Sequence, residues 1–146
     1  MGKVLAVDWG TVRFGLAVSD ELGMIARGLA SLPGGHVREA VEAIAQQVQA
    51  LAVETVVVGL PRNLDGSDGP AATQARAFAQ ALEARLGLPV CLWDERLTSV
   101  AAERLLIEGG VRRRQRKDAV NTMAARLILQ GFLDRRRAAA APVEEA

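Results

Sequence analysis

Acidic side chains stand at three places where they could hold a divalent cation. Asp8 closes the apolar run Val4-Leu5-Ala6-Val7, Asp94 and Glu95 follow the apolar run 89–93, and Asp118 precedes Asn121 by three residues. A carboxylate at the tip of a buried strand loses its water and needs a positive partner, either an arginine or a cation. Carboxylates that close on one another repel until a shared proton or a cation relieves them. The chain has one Cys and one His, so a site here would use oxygen donors, which favour Mg²⁺ or Mn²⁺ over Zn²⁺. Two such ions about 3.5–4 Å apart can activate a water and stabilise the leaving oxygen in phosphodiester hydrolysis. The competing use of Asp94 and Glu95 is structural: they could cap the following helix or pair with Arg96 or Arg13. Spacing alone leaves the two uses equal.

Positioning these groups is the work of the surrounding elements. The first 31 residues read as three strands, over 3–8, 13–19 and 23–31, separated by turn-prone pieces and forming an antiparallel meander. Pro33-Gly34-Gly35 breaks the chain, and Val37, Val41, Ile44, Val48 and Leu51 then lay one apolar stripe along a helix. Residues 55–59, TVVVG, predict a buried strand, followed by a Gly- and Asp-rich loop over 60–69. Ala71, Ala75, Phe78, Leu82 and Leu86 space a second helix that Gly87 and Pro89 end. A strand over 89–93 follows, then a helix from Thr98 or Ser99 to Glu108, with Thr98 a candidate N-cap. The last helix is expected over roughly 117–134, with Val120, Ala124, Leu127 and Phe132 apolar. Such an order gives a mixed sheet with an antiparallel edge and parallel crossovers, flanked by helices. Strand C-termini gather at one edge of such a sheet, so Asp8 and Glu95 can share a cleft although far apart in sequence. Asp118 and Asn121 fall on one face of the last helix.

At 146 residues the chain suits one domain, expected over 1–137, with a flexible tail over 138–146. No run approaches the ~20 apolar residues that span a bilayer, and the N-terminus lacks a signal-peptide pattern. Cys91 alone cannot form an intrachain disulfide, which fits a reducing, cytoplasmic compartment. The net charge of +1 hides an asymmetry: residues 111–137 hold nine Arg or Lys against two Asp, leaving nine against fifteen acids elsewhere. Arg112, Arg113, Arg114, Arg116 and Lys117 head that basic third and are expected to stay mobile until an anion arrives; nucleic acid is the favoured partner over a merely solvated surface. Cys91, Met24, Met123 and the three Phe residues read as core, and core packing is also favoured over base stacking for Trp9 and Trp93. His36, in a Gly-rich loop at a helix start, reads as a turn or capping residue.

Four ordered segments, VLAVDWGTVRFGLAVSD, GLPRNLDGSDGPAA, DERLTSVAAERLL and KDAVNTMAARLILQGFLD, resemble the signature segments of the YqgF family, from about residue 3 to 134. Its members are described as pre-16S rRNA nucleases or as Holliday-junction-resolvase-like proteins. The resemblance implies a ribonuclease H-like α/β fold, a mixed five-stranded sheet flanked by helices, and metal-dependent hydrolysis of nucleic-acid phosphodiesters. It implies Mg²⁺ or Mn²⁺ as cofactor, and precursor rRNA or DNA as partner of a monomer or homodimer. It carries Asp8 over as the first metal ligand and Glu95 as the second, and sets Arg13, Asn63 and Ser67 near the phosphate. One departure stands out. The family's D-x-x-A-A in the last helix here reads Asn121-Thr122-Met123-Ala124-Ala125, so the expected third carboxylate is Asp118, one turn earlier, as in resolvases with acids at i and i+3. Asn121 then orients a water or phosphate. An ATPase of related fold is disfavoured, since the chain has no GxxxxGK[ST] motif.

Overall fold

The first apolar runs of the chain become strands β1 (Lys3–Asp8), β2 (Arg13–Ser19) and β3 (Ala26–Pro33) of one five-stranded sheet. Helix α1 (Val37–Leu51), strand β4 (Val53–Leu60), helix α2 (Pro70–Leu86) and strand β5 (Val90–Asp94) follow. A single 3₁₀ turn over Glu95–Leu97 and a long helix α3 (Arg113–Ala140) complete the described elements. The computed structural model describes residues 2–10, 13–97 and 113–140, the side chains of 113–120 and of 140 lying outside the description. The expected helix over 98–108, its Thr98 cap and Arg112 fall outside the described residues.

The sheet order is β3-β2-β1-β4-β5. β1, β2 and β3 pair antiparallel, whereas β1–β4 and β4–β5 are parallel. Alternation along each strand divides the core in two. Leu5, Val7, Phe14, Leu16, Val56 and Val58 pack with α1 and α2 on one face. Val4, Ala6, Ala17, Val57 and Trp93 pack under Ala124, Ala125, Ile128, Leu129 and Leu133 of α3 on the other. The chain enters both α1 and α2 at the edge where β1 and β4 end, the edge that carries ligand sites in parallel α/β sheets.

Five expectations shift. β3 starts three residues later than the sequence pattern suggests, because the Asp20 carboxylate accepts the Met24 and Ile25 amides at 2.7 and 3.2 Å. Those donors are spent on the turn, and the ladder begins with Ser19 opposite Ala26. Met24 is accordingly 45% exposed rather than core. Ala72 rather than Ala71 is the buried residue of the first turn of α2. Finally, α3 takes in Arg113, Arg114, Arg116 and Lys117, expected as a mobile run, since the helix propensity of Arg and Lys outweighs their mutual repulsion. It also runs on to Ala140.

Candidate active site

Asp8 is the last residue of β1 and only 5% exposed. By alternation it shares the α3 face with Val4 and Ala6. Its antiparallel partner on β2 is Gly15. A Cβ on Gly15 would lie 2.0 Å from the Asn121 carbonyl oxygen, so only glycine lets the α3 backbone come this close to β2. Ala124 and Ala125, the next residues of α3 against the sheet, are small enough to continue that approach. Asn121 is thereby brought beside the strand pair that carries Asp8.

Glu95 arrives from the other side. Val7 pairs with Val58, so Gly59 of β4 lies one step further along, beside Asp8. A Cβ on Gly59 would be 3.3 Å from Glu95 Oε1 and 2.6 Å from Ile128 Cδ1. The Glu95 carboxylate therefore lies over the end of β4, on the α3 face. Two glycines, on the strands that flank β1, thus clear the floor on which Asp8, Glu95 and the start of the α3 contact converge. Asp118 belongs to α3, one turn before Asn121, with its side chain outside the described residues.

Asp94 takes the structural role. Arg96 Nη2 is 2.7 Å and Arg62 Nη1 3.6 Å from its Oδ2, and the Arg96 amide donates to its Oδ1 at 3.0 Å. The hydrogen bonds from Arg96 lower its pKa from 3.8 to about 2. Arg62 also reaches Asp68 at 3.2 Å, and Asp68 takes Arg76 of α2 at 2.5 Å. Arg96 Nη1 donates to the Leu64 carbonyl at 3.3 Å. This relay ties the loop over 61–69 to the end of β5; the Asp94–Arg96 pair was one of the sequence alternatives, whereas the contacts of Arg62, Asp68, Arg76 and Leu64 were missed because only the fold brings them together.

Within that loop Asn63 Nδ2 donates to Ser67 Oγ at 3.0 Å, and the Ser67 hydroxyl donates to Asp65 at 2.5 Å. The two residues expected near phosphate are therefore neighbours in one turn. Arg13, at the start of β2, donates from Nε to Ser31 Oγ at 2.8 Å and from Nη2 to the Ser31 carbonyl at 3.2 Å. The structure holds its guanidinium against β3. Trp9 packs on Phe14 and Phe78, ring centroids 4.6 and 4.5 Å away, and Trp93 is buried against Phe132. Cys91 is half-buried, and His36 stands at the α1 N-cap, where its side chain makes no capping hydrogen bond and its backbone carbonyl accepts from the Ala40 amide at 3.0 Å.

A family model described as "RuvX: Holliday junction resolvase" matches residues 2–135. The chain belongs to this family. Among curated RuvX relatives, a protein of Moorella thermoacetica is 46% identical over 133 residues, covering 91% of this chain and 95% of its own. One of Pelotomaculum thermopropionicum is 47% identical over 133 residues, covering 90% and 86%. Both bear the name "Putative pre-16S rRNA nuclease". Among solved structures, Thermus thermophilus RuvC in complex with a Holliday junction substrate aligns with a TM-score of 0.60 at 16% identity, covering 93% of this chain and 97% of its own. The chain thus has the ribonuclease H-like fold, a five-stranded mixed sheet flanked by helices, that the family resemblance implied.

Among the described residues no group of three His, Cys, Asp or Glu side chains forms a metal cluster. Asp8 and Glu95 supply two carboxylates on one face, and α3 brings Asn121 beside them. This oxygen-only donor set suits Mg²⁺ or Mn²⁺, with Asp118 the candidate for a third carboxylate.

Proposed function

We propose that this chain is a divalent-metal-dependent nuclease that hydrolyses phosphodiester bonds in precursor 16S rRNA in the cytoplasm. The observation that carries the reading is the convergence of buried Asp8 and of Glu95 at the ends of β1 and β4, under an α3 backbone that Gly15 admits. Relatives more than 40% identical along most of the chain bear a pre-16S rRNA nuclease name, which supports the substrate class.

In this reading Asp8, Glu95 and Asp118 hold Mg²⁺ or Mn²⁺, which supplies charge stabilisation and an activated water for attack at phosphorus. Asp8 sits in a nearly dry position at the end of β1, where its carboxylate oxygens suit a divalent cation. Asn121 contributes a neutral oxygen donor and orients water or phosphate. Arg13, Asn63 and Ser67 bind the phosphate backbone, and the Arg62–Asp68–Arg76 and Asp94–Arg96 contacts hold the Asn63 loop in place for it. Arg112, Arg113, Arg114, Arg116 and Lys117 gather the polyanion to the head of α3. Attack by water leaves no covalent intermediate on the chain.

The test is cleavage of precursor rRNA, single-stranded DNA and a four-way junction with Mn²⁺ or with EDTA. Cleavage should need the metal and vanish in Asp8→Asn and in Asp118→Asn. Undiminished cleavage by Asp118→Asn beside a dead Asp8→Asn would remove Asp118 from the site. The family description and the RuvC-like fold favour a second reading, resolution of branched DNA. That activity needs two sites related by symmetry, so a monomer inert on junctions rules it out.

A further inference from the structure

On the opposite face of β1 from Asp8, the end of the strand opens into a cavity of about 340 Å³ lined by Trp9, Gly35, Val37, Gln74, Ala77 and Phe78. A volume of this size is near the lower end for small-ligand pockets. Its walls are mainly apolar, and Trp9 is the aromatic ring that keeps exposed area there, since Phe78 is 1% exposed and packs on both Trp9 and Phe14. The Trp9 indole N–H is out of reach of solvent and meets no acceptor among the described residues. Closed to solvent, that N–H is also closed to a ligand in the open cavity, so recognition on this wall falls to the face and edge of the ring. Gln74 adds an amide, which can both donate and accept, on the exposed side of α2.

We propose that this cavity takes an unpaired nucleobase of the strand being cut, turned out of its stack beside the scissile phosphate. The inference rests on the nuclease reading and adds a base-binding subsite to it. Position supports a base over other apolar ligands. Trp9 follows Asp8 directly, and the alternation of β1 sends Asp8 toward α3 and Trp9 toward α1 and α2. A strand whose phosphate meets Asp8 therefore passes over the end of β1, and a neighbouring base falls on the Trp9 side. The exposed part of the Trp9 ring can accept any base face by stacking, while the Gln74 amide at the rim can read its edge. Enzymes that take a base out of its stack favour strands in which that base is already unpaired. The pocket thus selects single-stranded or distorted sites over regular duplex.

A short single-stranded RNA with one cleavage position, and copies with one abasic residue stepped along it, provide the test. Stacking energies predict that one abasic position beside the cut lowers kcat/KM roughly 5- to 100-fold while distant positions change little. Ala77→Leu, which fills the cavity from its exposed wall, should impose a similar loss on the intact strand. Combined with the critical abasic strand it should cost no more than either change alone. A flat abasic profile, or fully additive losses, overturns the subsite. If Mn²⁺-dependent cleavage that fails in Asp8→Asn accompanies a flat profile, the nuclease stands and the subsite falls. If no strand is cleaved, indole fluorescence still decides. Quenching by the intact strand that weakens with the abasic strand and is lost in Trp9→Phe supports the subsite; equal quenching by both strands, or none, removes it.

Discussion

Asp8 and Asp94 look alike in the sequence, each a carboxylate at the end of an apolar run, yet their surroundings assign them opposite work. Asp94 is met by Arg96 and Arg62 and serves the loop over 61–69. The hydrogen bonds from Arg96 hold its pKa at about 2, against 3.8 ordinarily. A depressed carboxylate pKa stabilises the fold fully above the unfolded value and loses that contribution as pH falls through the folded one. The loop should therefore stay docked at pH 5 and loosen between about pH 4 and pH 2, as faster amide exchange at residues 62–68 would record. The strand-end position of Asp8 and Glu95 was legible because buried strands and their tips show in one sequence. The pairing of Asp94 with Arg96 was among the sequence alternatives, but its second partner Arg62 was not, because it lies 32 residues away and no local pattern links the two. Asn121 offers a further test at this scale. Asn121→Asp restores the family's carboxylate and adds a charge beside Asp8. The Mn²⁺ concentration for half-maximal cleavage should drop about tenfold, in line with the effects of groups supporting a metal site; an unchanged requirement would set Asn121 outside the metal's reach.

Among elements, α3 and the strands beneath it decide whether the acids can meet. The helix was visible as an apolar stripe, but its closeness to the sheet was not. That closeness depends on Gly15, whose absent Cβ leaves room for the Asn121 carbonyl. Gly15→Ala should cost about 1–3 kcal/mol of stability by overpacking, since a backbone carbonyl cannot rotate away as a side chain can. It should also reduce cleavage by more than the loss of folded protein explains, because the shift moves α3 relative to Asp8. Gly59→Ala is expected to be milder, since its Cβ would first meet the flexible end of Ile128. Urea unfolding alongside kcat/KM for both variants separates packing loss from displacement of the site. The start of β3 also escaped sequence reasoning. Alternation cannot reveal that one aspartate side chain has taken two amides from the ladder.

At the scale of the whole molecule, charge and fold point the same way. The sheet places Asp8 and Glu95 at one edge, while nine of the 18 Arg and Lys residues lie in residues 111–137, most of which form α3. In the proposed reading a polyanion drawn to α3 would be delivered to the acids, which alone would repel it. This division of labour predicts strong salt dependence, because each phosphate neutralised by Arg or Lys releases condensed counterions. For single-stranded substrate, the logarithm of the binding constant should fall with the logarithm of salt concentration by about 0.7 per phosphate contacted. Replacing Arg113 and Arg114 with Gln should lower that slope by about 1.4 if each residue meets one phosphate. The Asp8→Asn variant, measured with EDTA to exclude cleavage, should keep the wild-type slope, since in the proposed reading Asp8 would meet the reacting phosphate through a cation rather than by releasing counterions. A slope unaffected by loss of both arginines would mean that the basic third of the chain is only a solvated surface, and the nucleic acid would then have to be held by Arg13 and the Asn63 loop alone.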